Sequence, residues 1–222
     1  HEEPILSPRT DHPWEALAVF NPSAIEIDNT VYILYRAMSK DNTSVIGYAE
    51  SYDMKNVKIR GAKPVYIPRA SFEEKRVPNG NSGCEDPRLI LIDNRIYMTY
   101  TAYNGIDAPR IALSSISIKD FTSGIWKWDE PILISKDGVD DKDGALFPEK
   151  IKGNYALIHR VNNKICIDYS TTLKFKNRNQ FKDIVILEPR PGMWDSKKVG
   201  IAMSPIISKY GWVLIYHGIG DD

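Results

Sequence analysis

The chain has 222 residues, 42% hydrophobic and 26% charged, a composition that belongs to a globular protein with a buried core and excludes a disordered chain. Its 29 Lys and Arg residues are matched by 29 Asp and Glu residues, so no overall charge attracts nucleic acid or an anionic membrane. No apolar run reaches the ~20 residues that span a bilayer, and the polar, proline-rich start is unlike a secretory signal.

An internal repeat of β-hairpins begins at residue 21. The first hairpin is predicted at 21–36 and the second at 86–101, each built around an Asp-Asn turn pair. The two segments align without a gap, and both consist of β-branched and aromatic runs on either side of the polar turn. Related segments begin near 147 and 204. The repeat therefore predicts four units of the same design.

Each hairpin is followed by more strand-like sequence, for example at 45–50, 111–118 and 165–170, which gives about four strands per unit. Four-stranded units that recur in this way predict the blades of a β-propeller, which protects its sheet edges by radial closure. We expect residues 1–222 to form a single all-β propeller domain with about three and a half to four blades present. The chain is expected to be truncated, with a further blade missing at the C-terminus.

The repeat also predicts where polar residues converge. In a hairpin the second strand returns to the end at which the first began, so the first residue of one strand lies beside the last residue of the other. We therefore expect the hairpin ends of separate blades to line one pocket, with a single carboxylate. The residues concerned are Asn21 with Arg36, Asp86 with Thr101, Arg160, and Ser204 with His217.

The predicted pocket suits an anion, because its one carboxylate lies among at least two cations and a histidine. Segments 141–144 and 193–200 contain further lysines, which we expect at the same opening. His159 lies one position before Arg160, and a structural role in the sheet and a functional role are equal alternatives for it.

Two cysteines, Cys84 and Cys166, are too few for a disulfide framework and lack the paired spacing of a zinc site. We interpret them as reduced thiols, which favours the cytoplasm, and we expect no metal site.

The segment Asn79–Arg88 contains Gly-Cys-Glu-Asp-Pro-Arg and resembles glycoside hydrolase family 130, the mannoside phosphorylases and related mannosidases. Further matching segments follow in the expected order along nearly the whole chain. They are Phe20-Asn21-Pro22, Tyr35-Arg36-Ala37, Leu146 to Ile151, His159-Arg160, Trp194 to Gly200 and Tyr216-His217-Gly218. The resemblance implies a five-bladed β-propeller.

The same resemblance implies roles for individual residues. Asp86 is expected to be the catalytic acid and to deliver its proton through a sugar hydroxyl. The residues implied to bind the mannosyl substrate are Asn21, Arg36 and Arg88. The residues implied to bind inorganic phosphate are Arg160, Lys198, His217 and Lys142.

The implied reaction is inverting phosphorolysis of a β-mannoside, such as mannosyl-glucose, mannosyl-N-acetylglucosamine or a β-manno-oligosaccharide, to give mannose 1-phosphate. Phosphate is then a co-substrate, no cofactor is expected, and both ligands are small molecules. An inverting hydrolase needs a second carboxylate to activate water. Phosphate is already an anionic nucleophile and needs cations to hold it, so a lone carboxylate among cations favours the phosphorylase.

Three alternatives remain open. A β-mannosidase of the same fold should replace Arg160, Lys198 or His217 by neutral or acidic residues. A non-catalytic carbohydrate-binding propeller would need aromatic platforms but not Asp86. An inert fragment would expose sheet edges, which partner strands or self-association into a homo-oligomer could cover. The acceptor sugar and the linkage are not determined by the sequence.

Overall fold

The structure is a computed structural model and describes residues 4–221. Within these residues the regular structure consists of sixteen strands, the five-residue helix α1 (Ile118–Thr122) and two 3-10 turns, Pro13–Glu15 and Arg178–Gln180. None of the described helices has the length and apolar character needed to cross a membrane. The predicted all-β class is confirmed.

Units one and two are four-stranded antiparallel meanders. The strands of unit one are β1 (Ala18–Ile27), β2 (Thr30–Met38), β3 (Thr43–Ser51) and β4 (Ile59–Arg60). The strands of unit two are β5 (Ser82–Ile92), β6 (Arg95–Tyr103), β7 (Arg110–Ser117) and β8 (Ile132–Leu133). A short parallel pairing of β3 with β5 joins both units into one sheet. Both hairpins occur where the repeat predicts them, because Asp28 and Asp93 accept the positive φ (49° and 52°) of their turns.

Unit three is a separate four-stranded sheet, and unit four is a shorter, interrupted hairpin. The strands of unit three are β9 (Asp141–Leu146), β10 (Tyr155–Val161), β11 (Lys164–Ser170) and β12 (Ile184–Leu187). The strands of unit four are β13 (Lys198–Ile201), β14 (Ile206–Ser208), β15 (Gly211–Val213) and β16 (Tyr216–Ile219). In unit four β13 pairs with β16, and β14 pairs with β15. Both units begin earlier than the predicted starts near 147 and 204.

The same β-bulge recurs in the first strand of units one to three, where two residues face one residue of the second strand. The facing sets are Asn21-Pro22 with Tyr35, Asp86-Pro87 with Tyr100, and Asp143-Gly144 with His159. The first residues of these bulges have φ of 46°, 52° and 55°, a conformation that Asn and Asp accept most readily after glycine. Alignment of the repeat on proline predicts Phe147-Pro148 as the counterpart in unit three. The structure places the counterpart at Asp143-Gly144, where glycine follows the acidic residue.

The first strands of successive units contact one another, β1 with β5, β5 with β9, and β9 with β13. Side-chain hydrogen bonds join them. The backbone N–H of Leu89 donates to Ser23 Oγ (2.9 Å), and Arg88 Nη2 donates to the carbonyl oxygen of Ile201 (2.7 Å). This radial order brings the bulges of different units around one space.

The core consists of apolar and aromatic side chains packed between the sheets. Tyr35 and Tyr100 are fully buried, as expected for core tyrosines, and their hydroxyls donate to the buried carboxylates of Glu15 and Glu73. Unit four, in contrast, exposes several large apolar side chains, Tyr210 among them.

Candidate active site

A cavity of about 590 Å³ lies where the bulges of the first strands meet. This volume is typical of small-molecule sites (~300–1,000 Å³). Every predicted site residue lines it: Asn21, Arg36, Asp86, Arg88, Lys142, Arg160, Lys198 and His217. Thr101 and Ser204 were expected at the same opening but are not among the lining residues. Thr101 is buried beside the bulge, and Gly200 rather than Ser204 pairs with His217 across β13 and β16.

One side of the cavity, here called the acid side, comprises Asn21, Arg36, Glu85 and Asp86. Arg36 Nη1 donates to Asp86 Oδ1 (3.3 Å), and Arg36 Nη2 donates to Glu85 Oε1 (3.0 Å). Arg36 Nε donates to Ser44 Oγ (2.9 Å), so each of the three guanidinium nitrogens donates one hydrogen bond. The acid side is therefore a fixed array of two carboxylates bridged by one arginine.

Glu85 was missed by the sequence reasoning. In a regular strand, neighbouring side chains point to opposite faces, so a residue next to Asp86 is expected to point away from it. The bulge cancels this alternation, and both carboxylates line the cavity. Burial raises the pKa of Glu85, while the charges of Arg36 and Lys142 oppose that rise.

A second group of lining residues, here called the cation side, comprises Lys142, Arg160, Lys198 and His217. Arg160 Nε lies 3.1 Å from Asp143 Oδ2, and His217 Nε2 lies 3.8 Å from the same oxygen. Lys142 Nζ lies 3.7 Å from Glu85 Oε2. Lys198 makes no ion pair with any residue in 4–221 and is therefore the cation with the least internal compensation.

His217 is half-buried on the cation side. Burial lowers its pKa, and the positive charges of Arg160, Arg88 and Lys198 lower it further, against the opposing effect of Asp143. At neutral pH the imidazole is therefore uncharged and offers one N–H donor.

Asp143 is the second carboxylate that the sequence reasoning missed. Arg88 Nη2 donates to Asp143 Oδ1 (3.3 Å), so Asp143 contacts both Arg88 and Arg160. The expectation of a single carboxylate was wrong, since Glu85, Asp86 and Asp143 all line the cavity. Five Lys and Arg residues against these three carboxylates still leave an excess of two positive charges with His217 neutral. The cavity remains suited to an anion.

His159 is structural. It occupies the position of the buried Tyr35 and Tyr100 in the bulge repeat, and it lies outside the cavity. Its Nδ1 lies 2.9 Å from Asp141 Oδ2, and its Nε2 lies 3.1 Å from Asp168 Oδ2. Burial acts to lower the pKa of His159, but the two carboxylates outweigh it and raise the pKa to about 9.

In the described part of the chain, one group of side chains has the spacing of a metal site. His159, Asp168 and Asp183 place ligand atoms within 4.8 Å of one another. These atoms already have partners in the protein, because Asp168 accepts from His159 and Asp183 accepts from Lys136 Nζ (2.5 Å). The cluster is accounted for as a buried ion-pair network.

A larger cavity of about 720 Å³ lies between units two and three, away from the bulges. Its lining is mostly apolar, for example Leu113, Leu133 and Leu173, and it contains none of the predicted site residues. The smaller cavity is the better candidate for chemistry, because ionisable side chains from four units converge on it.

Several carboxylates lining one polar cavity are typical of enzymes that act on glycosides. The comparisons agree. Residues 5–222 match the glycoside hydrolase family 130 model, described as beta-1,4-mannooligosaccharide phosphorylase. A 1,2-beta-oligomannan phosphorylase of Thermoanaerobacter sp. (strain X514) is 35% identical over 100% of this chain and 71% of its own length. A beta-1,2-mannobiose phosphorylase of the same organism is 37% identical over 99% of this chain and 71% of its own length.

Among solved structures, a glycosyl hydrolase from Bacteroides ovatus superposes with a TM-score of 0.80 at 24% identity, covering 97% of this chain and 68% of that one. This similarity supports the fold. The chain belongs to glycoside hydrolase family 130. Phosphorylases of this family use inorganic phosphate as a co-substrate and need no cofactor.

Proposed function

We propose that this chain carries the active site of an inverting β-mannoside phosphorylase, built on a five-bladed β-propeller. The observation that supports this most directly is that Asp86 and the cation side line the same cavity, where Lys198 has no ion-pair partner among residues 4–221. Such a cluster is suited to hold a phosphate dianion in position for attack on the sugar.

In the proposed reaction the carboxylic acid of Asp86 supplies the proton that the glycosidic oxygen receives as its bond to the sugar carbon C1 breaks, with a sugar hydroxyl as relay. A phosphate oxygen, held by Arg160, Lys198, His217 and Lys142, attacks C1 from the opposite face. The bond from phosphate to C1 forms as the bond to the leaving sugar breaks, which inverts the configuration. The products are mannose 1-phosphate and the acceptor sugar.

Asn21, Arg36 and Arg88 are proposed to hold the mannosyl unit. Arg36 is suited to this task because its three bonds to Asp86, Glu85 and Ser44 fix it before the sugar arrives. A preorganised donor strengthens binding since little side-chain freedom is lost.

We propose a β-1,2 linkage for the natural substrate. The two relatives described above, at 35% and 37% identity, are both named for β-1,2-linked mannosides. The description of the family model names a β-1,4 linkage, so both linkages belong in the test.

Hydrolysis is the second candidate, because Glu85 and Asp143 add carboxylates that an inverting hydrolase could use as a base. Their surroundings argue against it. Glu85 contacts Arg36 and Lys142, and Asp143 contacts Arg88 and Arg160, so both carboxylates are engaged by cations instead of being free to activate water.

The test is to incubate the purified protein with β-1,2-mannobiose and with β-1,4-mannobiose, each with and without phosphate, and to follow products by ³¹P NMR and sugar analysis. We expect mannose 1-phosphate only in the tubes with phosphate, and faster from the β-1,2 substrate. Release of free mannose at equal rates with and without phosphate would overturn the phosphorylase proposal in favour of hydrolysis.

A further inference from the structure

Asp143 occupies the position in unit three that Asp86 occupies in unit two. Both lie first in a β-bulge with positive φ, and both line the cavity. Asp86 is only partly buried, whereas Asp143 is 5% exposed and lies behind the cation side. The repeat thus supplies two carboxylates at equivalent places, one of them open to a ligand and the other enclosed by cations.

The contacts of Asp143 come from three different units. Arg88 of unit two lies 3.3 Å from Oδ1, and Arg160 of unit three lies 3.1 Å from Oδ2. His217 of unit four lies 3.8 Å from Oδ2. Without a shared anion, Arg88 and Arg160 would repel each other in a partly desolvated space. Asp143 is therefore placed to hold side chains of separate units in one arrangement.

Gly200 makes this arrangement sterically feasible. A Cβ atom built on Gly200 would collide with Asp143 Oδ2 and with the imidazole ring of His217. The φ of Gly200 is not in the left-handed region, so the need for glycine here is one of space alone. The absence of a side chain lets the carboxylate, the imidazole and strand β13 approach closely.

We propose that Asp143 is the positioning residue of the cation side, which fixes Arg160 and His217 for phosphate and Arg88 beside them. The proposal rests on the proposed function in taking phosphate as the ligand. Asp143 itself does not touch the reacting atoms. It acts through Arg88, Arg160 and His217. It holds these side chains in position and neutralises part of their positive charge.

The proposal and simple electrostatics predict opposite outcomes for Asp143→Asn. If net charge alone decided, removal of a carboxylate would strengthen phosphate binding. If the positions of the cations decide phosphate affinity, Arg88 and Arg160 separate once Asp143 no longer holds them, and phosphate binding weakens. A well-placed hydrogen bond to a charged group contributes roughly 10- to 150-fold in affinity. We therefore expect Asp143→Asn to weaken phosphate binding by roughly 10- to 100-fold.

Asp140→Asn is the matched control. Asp140 is exposed, and it lines a neighbouring cavity together with Lys142, Arg160 and Lys198, so its removal changes the charge near the same cations without breaking a contact of Asp143. Phosphate affinity is measured by calorimetry without sugar, and the KM values for phosphate and mannoside are measured in turnover. We expect Asp140→Asn to stay within about twofold of the wild type, and Asp143→Asn to change the phosphate KM far more than the mannoside KM.

The pKa of His217 reports whether Asp143 lies beside the imidazole in solution. The carboxylate of Asp143 raises that pKa, against the combined effect of burial, Arg160, Arg88 and Lys198. An NMR titration of the imidazole should therefore show a lower pKa in Asp143→Asn than in Asp140→Asn.

Gly200→Ala is an independent second variant, because it separates Asp143 from His217 while keeping every charge. It should weaken phosphate binding in the same direction, and it keeps the test valid if Asp143→Asn fails to fold. Phosphate binding by Asp143→Asn or Gly200→Ala that equals or exceeds the wild type would overturn the positioning role. If the wild type binds phosphate but forms no mannose 1-phosphate, the proposed function is contradicted. The phosphate-binding comparison of the variants still tests the positioning role of Asp143 in that case.

Discussion

The acid side and the cation side of the cavity are built differently. The acid side stands on units one and two, which share one sheet, and each guanidinium nitrogen of its central Arg36 donates a hydrogen bond to a protein atom. The cation side stands on units three and four, which form separate sheets. Its Lys198 has no ion-pair partner in the described part of the chain, and its His217 is half-exposed. Under the proposed function, the acid side is a preformed surface for the sugar and the cation side is a less compensated surface that attracts the anion.

The largest effect is expected from Asp86→Asn, which removes the proposed acid and leaves the cation side intact. General acid catalysis contributes typically 10²–10⁴-fold, so kcat should fall by about that factor while phosphate affinity stays near the wild-type value. Asp93→Asn is the matched control, since it makes the same change in the exposed turn of the same hairpin. Full turnover by Asp86→Asn would remove the acid side from the mechanism.

The second effect concerns the sheet beneath the cation side. His159→Gln leaves the buried carboxylates of Asp141 and Asp168 without their shared cation. Loss of one partner of a buried ion pair costs about 3–5 kcal/mol, so the free energy of unfolding should fall by about that amount in a denaturant titration. Lys164→Gln, which breaks an exposed pair on the same sheet, should leave unfolding almost unchanged. Equal stability of His159→Gln and the wild type would refute the structural role.

A smaller effect is expected from pH. The pKa of His159 is raised from 6.5 to about 9 in the folded chain. A raised pKa stabilises the fold fully below about pH 6.5 and loses that stabilisation as the pH rises through about 9. The difference in unfolding free energy between the wild type and His159→Gln should therefore shrink between about pH 6.5 and pH 9.5. A difference that grows with pH would show that His159 is neutral in the fold.

The sequence predicted the bulge residues of units one and two but not the equivalent residue of unit three, for a local reason. Hairpins one and two carry the same Asp-Asn turn and the same bulge followed by proline, so Asn21 and Asp86 could be aligned directly. In unit three Gly144 takes the place of that proline. An alignment on proline therefore selects Pro148 as the counterpart and misses Asp143. An alignment on the Asn or Asp that begins each bulge, in place of the proline after it, would have found Asp143.

Glu85 could not be found by pattern, because strand periodicity assigns it to the opposite face from Asp86 and only the bulge brings both to the cavity. His217 was predicted correctly as a lining residue, but its strand partner was not. Residues 202–205 separate β13 from β14 and shift the register of unit four. The first strands of the other units have no such interruption, so the repeat could not predict it.

The division of the cavity into two functional sides is tested most directly by two-substrate kinetics on a pair of arginine variants. Arg36→Met and Arg160→Met each remove one charged donor, and a hydrogen bond to a charged group contributes about 1.5–3 kcal/mol, or roughly 10- to 150-fold in affinity. The account predicts a crossed result, in which Arg36→Met raises mainly the mannoside KM and Arg160→Met raises mainly the phosphate KM. Equal changes of both KM values in both variants would contradict it.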